Sequence, residues 1–120
     1  MTRYVYVAGR LSGDPPTYLA NLAEMCAASR RLMDMGLTPI NPGADMLEGL
    51  MSGEVMDKAR YQERSLNLLR LLEGKNAALL VVNARHRDGT ESGGTRREIE
   101  EAERLGIPVA DAIEELRWVG

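Results

Sequence analysis

Four short apolar stretches divide this chain, and longer segments of mixed polarity separate them. The stretches cover residues 3–8, 37–40, 77–82 and 107–110 and are rich in β-branched, aromatic and aliphatic side chains. An apolar run of this length, without alternation of polar and apolar positions, is typical of a strand that is buried on both faces. The pattern therefore predicts four strands of a parallel sheet.

The segments between the strands carry apolar residues at helical spacing. Residues 14–35 show one apolar stripe, with Asp14 as the candidate N-cap and Gly36 as the stop. A longer helix is predicted over residues 54–73, a third ends at residue 105, and a short last helix follows Asp111 as its cap and runs to residue 118. Residues 42–53 lack a clear period and form either a short helix or a lid over a site.

Strands that alternate with helices favour βαβ units with right-handed crossovers. We therefore predict one α/β domain over residues 1–120, a Rossmann-like three-layer sandwich. Its mainly parallel sheet of about four strands has the order 2-1-3-4, with helices on both faces. Ligands of such sheets bind beyond the carboxyl ends of the strands, where the strand order reverses. Two loops qualify, residues 9–13 after the first strand and residues 83–94 after the third.

The charge and the rare residues limit the partners. A net charge of −3 argues against binding to a nucleic-acid polymer or a membrane surface, because both need a basic footprint. Cys26 and His86 are single residues of their types, which leaves no Cys/His zinc site. The chain enters a strand pattern at once, without a signal peptide, and no run is long enough to span a bilayer. We expect a cytoplasmic protein without a metal or a cofactor.

The segment Glu91-Ser-Gly-Gly-Thr-Arg-Arg-Glu98 carries the candidate chemistry, because it joins the third strand to a helix start. Gly93 and Gly94 let the main chain approach a ligand closely, and Ser92 or Thr95 can cap the first helical turn. Such a helix N-terminus receives anions. Glu98 falls in that turn, where the helix dipole favours its ionised form, so it can act as a nucleophile or a base. The structural alternative is a cap and a tight connection only.

Arginines are concentrated in or beside the two loops. They are Arg10, Arg85, Arg87, Arg96 and Arg97. Guanidinium groups suit phosphate, so this excess of positive charge in an acidic protein suggests a phosphorylated substrate. In the alternative interpretation, Arg96 and Arg97 pair with Glu100 and Glu101 one helical turn on. His86 is either a proton donor or an exposed loop side chain.

Several short motifs resemble those of one enzyme group. They are Tyr6-Val-Ala-Gly9, Leu11-Ser12-Gly13, Asn41-Pro42, and Ser92-x-Gly94-x-x-x-Glu98-x-x-x-Ala102 before Gly106-Ile-Pro-Val109. Over nearly its whole length the chain resembles the nucleoside 2-deoxyribosyltransferase-like superfamily, and in motif spacing it is most similar to the 2′-deoxynucleoside 5′-phosphate N-hydrolases. Gly94-Thr95-x-x-Glu98 also resembles the Gly-Thr-x-x-Glu of the cytokinin-activating phosphoribohydrolases.

This resemblance implies a small-molecule substrate, a nucleotide or nucleoside, whose N-glycosidic bond is cleaved or transferred. It implies Glu98 as the nucleophile, Tyr6 as the hydroxyl that orients Glu98, and Ser92 as a phosphate ligand. With the loop positions, the candidates for phosphate or sugar binding are Gly9, Arg10, Ser12, Gly13, Ser92, Gly93, Gly94 and Thr95. Further candidates are Arg85, His86, Arg87 and Asn41.

The chain departs from the family pattern at two acidic positions. Asn76 stands at the start of the third strand, where these enzymes usually carry an acid. The preceding helix usually carries a carboxylate that assists the base, and here it offers Asp57, Glu63 and Ser65. Without a general acid the base must leave unassisted. Two hypotheses stay open: a glycosidase or deoxyribosyltransferase, and a non-catalytic nucleotide sensor in which Glu98 binds a ribose hydroxyl.

The second half of the long predicted helix suggests an assembly. Its leucines, Leu66, Leu68, Leu69, Leu71 and Leu72, cover more of the helix than one sheet face can bury, and Met46, Met51 and Met56 add apolar surface nearby. Exposed apolar surface of this extent marks a partner site, and a self-complementary patch most often closes as a two-fold dimer. The resemblance likewise implies pairing that completes each active site. The alternative is that residues 42–53 fold back over the leucines.

Overall fold

The strands form one parallel sheet. A computed structural model describes residues 2–11, 15–54, 56–83 and 93–118, with Met46 as backbone only. The strands are β1 (Tyr4–Ala8), β2 (Thr38–Ile40), β3 (Ala77–Val81) and β4 (Val109–Ala110). All pairs are parallel, in the order β2-β1-β3-β4, which confirms the predicted topology. In this register Tyr6 lies between Ile40 of β2 and Leu79 of β3.

The helices cover both faces of the sheet. They are α1 (Pro15–Asp34), α2 (Asp45–Met51), α3 (Lys58–Leu71) and α4 (Gly93–Arg104), with single 3-10 turns at Pro42–Ala44 and Ile113–Glu115. Alternate residues of a strand point to opposite faces. Val5 and Val7 therefore pack against Leu32 of α1, whereas Tyr6 packs with Leu69 of α3 on the other face. α4 lies beside α3 on that second face, so three layers result.

The segment between β2 and α3 differs from the prediction of one long helix. α3 begins at Lys58 rather than at residue 54, because Asp57 caps it and accepts a hydrogen bond from the Ala59 backbone nitrogen at 3.4 Å. Gly53, with a φ of 106°, turns the chain before that cap. Residues 42–53, predicted as either a short helix or a lid, form the first 3-10 turn and then α2.

The C-terminal segment is less helical than its pattern predicts. Only Ile113–Glu115 forms a 3-10 turn, and its N-cap is Ala112 without a side-chain bond, so the predicted cap at Asp111 is wrong. Leu116 and Trp118 pack instead against the face of the sheet that α1 covers. Burial of these two side chains draws the chain away from a helical path. The predicted cap at Asp14 lies outside the described residues.

Candidate active site

Tyr6 and Glu98 form the centre of the candidate site. Tyr6 lies on β1, its side chain on the face covered by α3 and α4, and its hydroxyl donates a hydrogen bond to Oε2 of Glu98. Both residues are buried, Tyr6 at 0% and Glu98 at 7% exposure. The topology explains the contact, because α4 starts after β3, the direct neighbour of β1. The structure thus brings together the two residues that the sequence selected as catalytic.

The pKa of Glu98 shifts in the direction opposite to the prediction. α4 begins at Gly93, which places Glu98 in the second turn, beyond the reach of most of the helix dipole. Burial raises the pKa of Glu98 to about 7, the hydrogen bond from Tyr6 opposes that rise, and the negative charge of Asp45 adds to it. The expectation that the dipole holds Glu98 ionised was therefore wrong, and desolvation dominates.

α3 supplies the wall of the site opposite α4. Ser65 is buried and lies close enough to the Tyr6 hydroxyl to lower its pKa, although burial and Glu98 together raise that pKa well above its ordinary value. Gly94 packs against Gln62, since a Cβ at position 94 would lie 2.9 Å from Gln62 Oε1. Gly94 thus faces the side-chain amide of Gln62 on α3.

The N-terminus of α4 has an outer surface that is open at Gly93 and an inner surface that is buried at Thr95. Among the described residues, a Cβ at Gly93 would meet nothing within 4 Å, which agrees with the open space that a ligand-binding turn requires. Thr95 is almost fully buried and shares the inner face of the helix with Glu98 and Ala102. Its hydroxyl lies inside the protein rather than on the surface of the turn.

Asp45 is a second carboxylate of the site that sequence reasoning missed. It is the first residue of α2, and its charge raises the pKa of both Glu98 and Tyr6. Arg64 of α3 holds it, with Nη2 at 2.6 Å from Asp45 Oδ1. Burial raises the pKa of Asp45 despite this partner. The available signal was its position shortly after β2, at the carboxyl edge of the sheet, whereas the acids expected from the sequence were at the position of Asn76, on the long helix and at His86.

Asn41 has a structural function in carrying Asp45 to the site. Its Oδ1 accepts a hydrogen bond from the Gly43 backbone nitrogen at 2.8 Å and caps the 3-10 turn. Tyr18 donates to the Gly43 carbonyl oxygen at 2.7 Å, which fixes the same turn to α1. Asn41 therefore caps a turn that leads directly into α2, and its contact with a ligand stays a prediction.

The loop after β1 holds Arg10 in a fixed position. Arg10 Nη1 donates to Oδ1 of Asn83, and Asn83 Nδ2 donates to Glu24 Oε2 at 2.9 Å. The Arg10 backbone nitrogen also donates to the Asn83 carbonyl oxygen at 3.2 Å. Asn83 has a φ of 61°, a left-handed backbone conformation that residues other than glycine adopt rarely. Such conformations are often found at functional sites. This relay lies beyond the carboxyl ends of β1 and β3.

Gly9, in the same loop, has a packing function. A Cβ at this position would lie 2.3 Å from the Val82 carbonyl oxygen. Only glycine therefore lets the backbone segments that follow β1 and β3 run this close together. The structure therefore explains Gly9 without a ligand. Its effect on the site is indirect, because it sets the path on which Arg10 and Asn83 meet.

The other predicted arginines that the structure describes differ in whether they form an ion pair. Arg96 pairs with Glu100 at 3.1 Å across one helical turn, which confirms the structural alternative for this residue. Arg97 is exposed and makes no ion pair within the described part of the chain, and Glu101 pairs instead with Arg70 and Arg104. The remaining predicted site residues lie outside the described residues; they are Ser12, Gly13, Arg85, His86, Arg87 and Ser92.

A cleft of about 370 Å³ opens on the opposite face of the sheet, between α1 and the chain after β4, with Arg31, Asn83 and Asp111 in its lining. Across residues 2–11, 15–54, 56–83 and 93–118, histidine, cysteine and acidic side chains do not cluster in threes as a metal site would require.

Within the same ranges, every helix is too short or too polar to cross a bilayer.

Comparison of the chain with protein-family models, curated proteins and solved structures finds no match. The function must therefore be inferred from the geometry and chemistry of the site itself.

Proposed function

We propose that this protein cleaves or transfers the N-glycosidic bond of a nucleoside 5′-monophosphate or nucleoside, with Glu98 as the nucleophile. The observation that carries the proposal is the buried hydrogen bond from Tyr6 to Glu98 at the carboxyl edge of the sheet. A carboxylate that serves only as a helix cap is normally solvated, whereas this one lies inside the protein.

The chemistry suits a buried carboxylate. Breaking the bond between C1′ and the base nitrogen builds positive charge on the sugar, and a carboxylate beside C1′ stabilises that charge or captures the sugar covalently. Burial strengthens this interaction, because few water molecules screen it. The desolvation that raises the pKa of Glu98 is then relieved when the sugar becomes cationic.

Tyr6 fixes the nucleophile in one orientation. Its hydroxyl occupies Oε2 of Glu98, which leaves Oε1 as the oxygen that attacks C1′. The hydrogen bond stabilises the ionised form of Glu98, since it opposes the effect of burial on the pKa. Tyr6 itself stays protonated, because burial and Glu98 hold its pKa high.

A phosphate group has two sources of positive potential at this edge of the sheet. One is the N-terminus of α4, where the dipole is positive and no described residue lies against Gly93. The other is Arg10, which Asn83 holds beyond the end of β1. Both support a nucleotide rather than an uncharged nucleoside as the preferred substrate.

Nucleotide binding without catalysis is the second candidate, and one observation favours it. The side chain that α3 places near Tyr6 is the hydroxyl of Ser65, which is a poor acid for a leaving base. In this alternative Glu98 accepts a hydrogen bond from a ribose hydroxyl. The protein would then bind nucleotides with the same residues and release no base.

An assay separates the two candidates. The protein is incubated with a panel of ribonucleoside and deoxyribonucleoside 5′-monophosphates and the matching nucleosides, and free base is followed by chromatography. Release of base from one or more monophosphates supports the enzyme. Saturable binding of a monophosphate by calorimetry without base release supports the binding protein.

Nucleotides are cytoplasmic metabolites, so the proposal also expects the protein to act in the cytoplasm.

We also propose a homodimer or higher homo-oligomer that pairs through α2 and α3. Large apolar side chains remain exposed there: Leu50, Met51, Met56 and Leu71. The predicted leucine surface is smaller than expected, because Leu66 and Leu68 pack partly into the core beside α4 and only Leu71 stays outside. The exposed apolar side chains that remain still suit contact with a second copy of this chain.

A further inference from the structure

Asp45 is placed beside the catalytic pair by three contacts between described residues. Arg64 holds Asp45 at 2.6 Å, the adjacent Ser65 lies near the Tyr6 hydroxyl, and Tyr6 binds Glu98. The β-sheet register leads to the same location, since Ile40 pairs with Tyr6 and the turn that follows β2 delivers the start of α2. The Asp45 side chain is only 18% exposed.

Arg64 orients Asp45 without blocking it. Its guanidinium binds Oδ1 of Asp45 and, through its other nitrogen, Oε1 of Glu48 at 2.7 Å. Within the described part of the chain, Oδ2 of Asp45 has no hydrogen-bond partner. An aspartate that is fixed through one oxygen, and whose other oxygen is unpaired among the described residues, is suited to accept a proton.

The second half of the proposed reaction needs such a group. After Glu98 has captured the sugar, it is an ester and cannot activate water. Tyr6 is a poor base, because its pKa lies well above the ordinary value and its hydroxyl is protonated. Ser65 is a neutral hydroxyl. Asp45 is therefore the carboxylate that remains available in this part of the site.

We propose that Asp45 is the general base that activates water for hydrolysis of the glycosyl–Glu98 intermediate, with Arg64 as the residue that positions it. This inference rests on the proposed function and assigns a second catalytic residue to it. It also commits to water as the final acceptor of the sugar.

The proposed hydrolysis has two steps, and atoms and charges balance in both. In the first, Glu98 forms a bond to C1′, and the base departs with the electron pair of the C1′–N bond and takes a proton from solvent. In the second, water attacks C1′ and gives a proton to Oδ2 of Asp45, while the bond between C1′ and Glu98 breaks and Glu98 leaves as a carboxylate. Asp45 then releases its proton to solvent, and both carboxylates are regenerated.

The charged groups around Asp45 belong to three elements. Arg64 approaches from α3 and favours the ionised form, and Glu48 lies one turn on along α2. Glu98 of α4 lies close enough to interact with the Asp45 charge. When Glu98 becomes an ester, it loses its negative charge. The ionised form of Asp45 is then favoured in the step in which it takes the proton from water.

Asp45→Asn tests the catalytic assignment, because it keeps the shape and removes the basicity. With a substrate found in the nucleotide panel, we expect a burst of one base per site, followed by turnover that is about a hundredfold to ten-thousandfold slower than in the unchanged protein. Azide needs no base to attack, so it should restore turnover in Asp45→Asn and yield a glycosyl azide. Unchanged turnover, or loss of the burst itself without rescue by azide, overturns the assignment.

Glu48→Gln is the matched control, since Glu48 contacts the same guanidinium but is 61% exposed and does not affect the pKa of Glu98 or Tyr6. It should keep turnover within about twofold, as surface charges typically do. If Glu48→Gln reproduces the Asp45→Asn defect, the effect comes from a disturbed Arg64 and not from a missing base, which contradicts the proposal.

A second measurement is independent of activity. Carbon-13 NMR of glutamate side-chain carboxyls gives the pKa of Glu98, which should fall in Asp45→Asn and stay constant in Glu48→Gln. An unchanged pKa in Asp45→Asn shows that the two carboxylates are not neighbours and overturns the inference. If the pKa falls while neither the unchanged protein nor any variant releases base, the placement holds and the proposed function fails, together with the catalytic role of Asp45.

Discussion

The hydroxyl of Tyr6 on β1 donates a hydrogen bond to the carboxylate of Glu98 on α4, across 92 positions of sequence and inside the protein. The contact connects the central strand to the helix that follows its neighbour β3. It fixes the direction of the proposed nucleophile and opposes the rise of the Glu98 pKa that burial causes. The predictions for pH dependence and for stability follow from it.

The activity should depend on the ionisation of Glu98. Burial raises the pKa of Glu98 to about 7, and only the ionised form attacks C1′. We expect kcat/KM to rise about tenfold for each pH unit below that value and then to level off. Tyr6→Phe removes a hydrogen bond that lowers this pKa, so the midpoint should move to higher pH. A profile that is flat through this range, or the same midpoint in both proteins, would exclude Glu98 as the titrating nucleophile.

The same burial should destabilise the folded protein at alkaline pH. The folded pKa of Glu98 lies above its unfolded value of 4.5, so the folded state binds more protons between 4.5 and about 7. The penalty is absent below this window, grows as the pH rises through it and is complete above it.

Glu98→Gln should therefore be more stable than the unchanged protein at about pH 8, by as much as about 3 kcal/mol at the usual conversion of a pKa shift. The gain should vanish near about pH 4. Urea denaturation at several pH values measures the difference. A constant difference at every pH would show that the ionisation of Glu98 is not its cause.

Asn83 should control the binding of phosphate through Arg10. Asn83→Gly retains a residue that tolerates the left-handed backbone but removes the amide that holds Arg10. We expect KM for a nucleoside 5′-monophosphate to rise roughly tenfold in both Asn83→Gly and Arg10→Ala, because an oriented, charge-assisted contact is lost. KM for the matching nucleoside should change little. Equal losses for the two ligand types would show that the phosphate binds elsewhere.

The exposed apolar surface on α2 and α3 should close as a dimer. Sedimentation equilibrium at micromolar concentration should give about twice the chain mass of 13.2 kDa. Leu71→Glu is the appropriate disrupting change, because Leu71 is 69% exposed and its replacement leaves the core intact. Arg30→Glu, at an exposed pair on α1, is the control. A monomer mass for the unchanged protein contradicts this interface.

The fold was predictable because its signals are local. Each strand is a short apolar run, each long helix has its own apolar stripe, and the alternation of the two determines a parallel sheet. Helix ends were less predictable, because they depend on caps such as Asp57, which no periodicity reveals. The pair Tyr6 and Glu98 was found through the family resemblance together with the glycine turn.

Other parts of the site depend on tertiary structure. Asp45 becomes a candidate site residue because Arg64, on a different helix, binds it, and the chain between them carries no signal of this contact. Desolvation of Glu98 arises from tertiary packing, so a helix-dipole argument gave the wrong direction for its pKa shift. Gly94 suggested close approach to a ligand and Gly9 was a candidate for ligand binding, and the structure shows them close to Gln62 and Val82.

The central claim, that Glu98 cleaves an N-glycosidic bond, is tested most directly by comparing base release from nucleoside 5′-monophosphates by the unchanged protein and by Glu98→Gln. The variant keeps the shape of the side chain and a carbonyl oxygen for Tyr6, and it loses the charge. We predict equal nucleotide binding by calorimetry in both proteins, with base released only by the unchanged one. Full base release by Glu98→Gln would contradict the account.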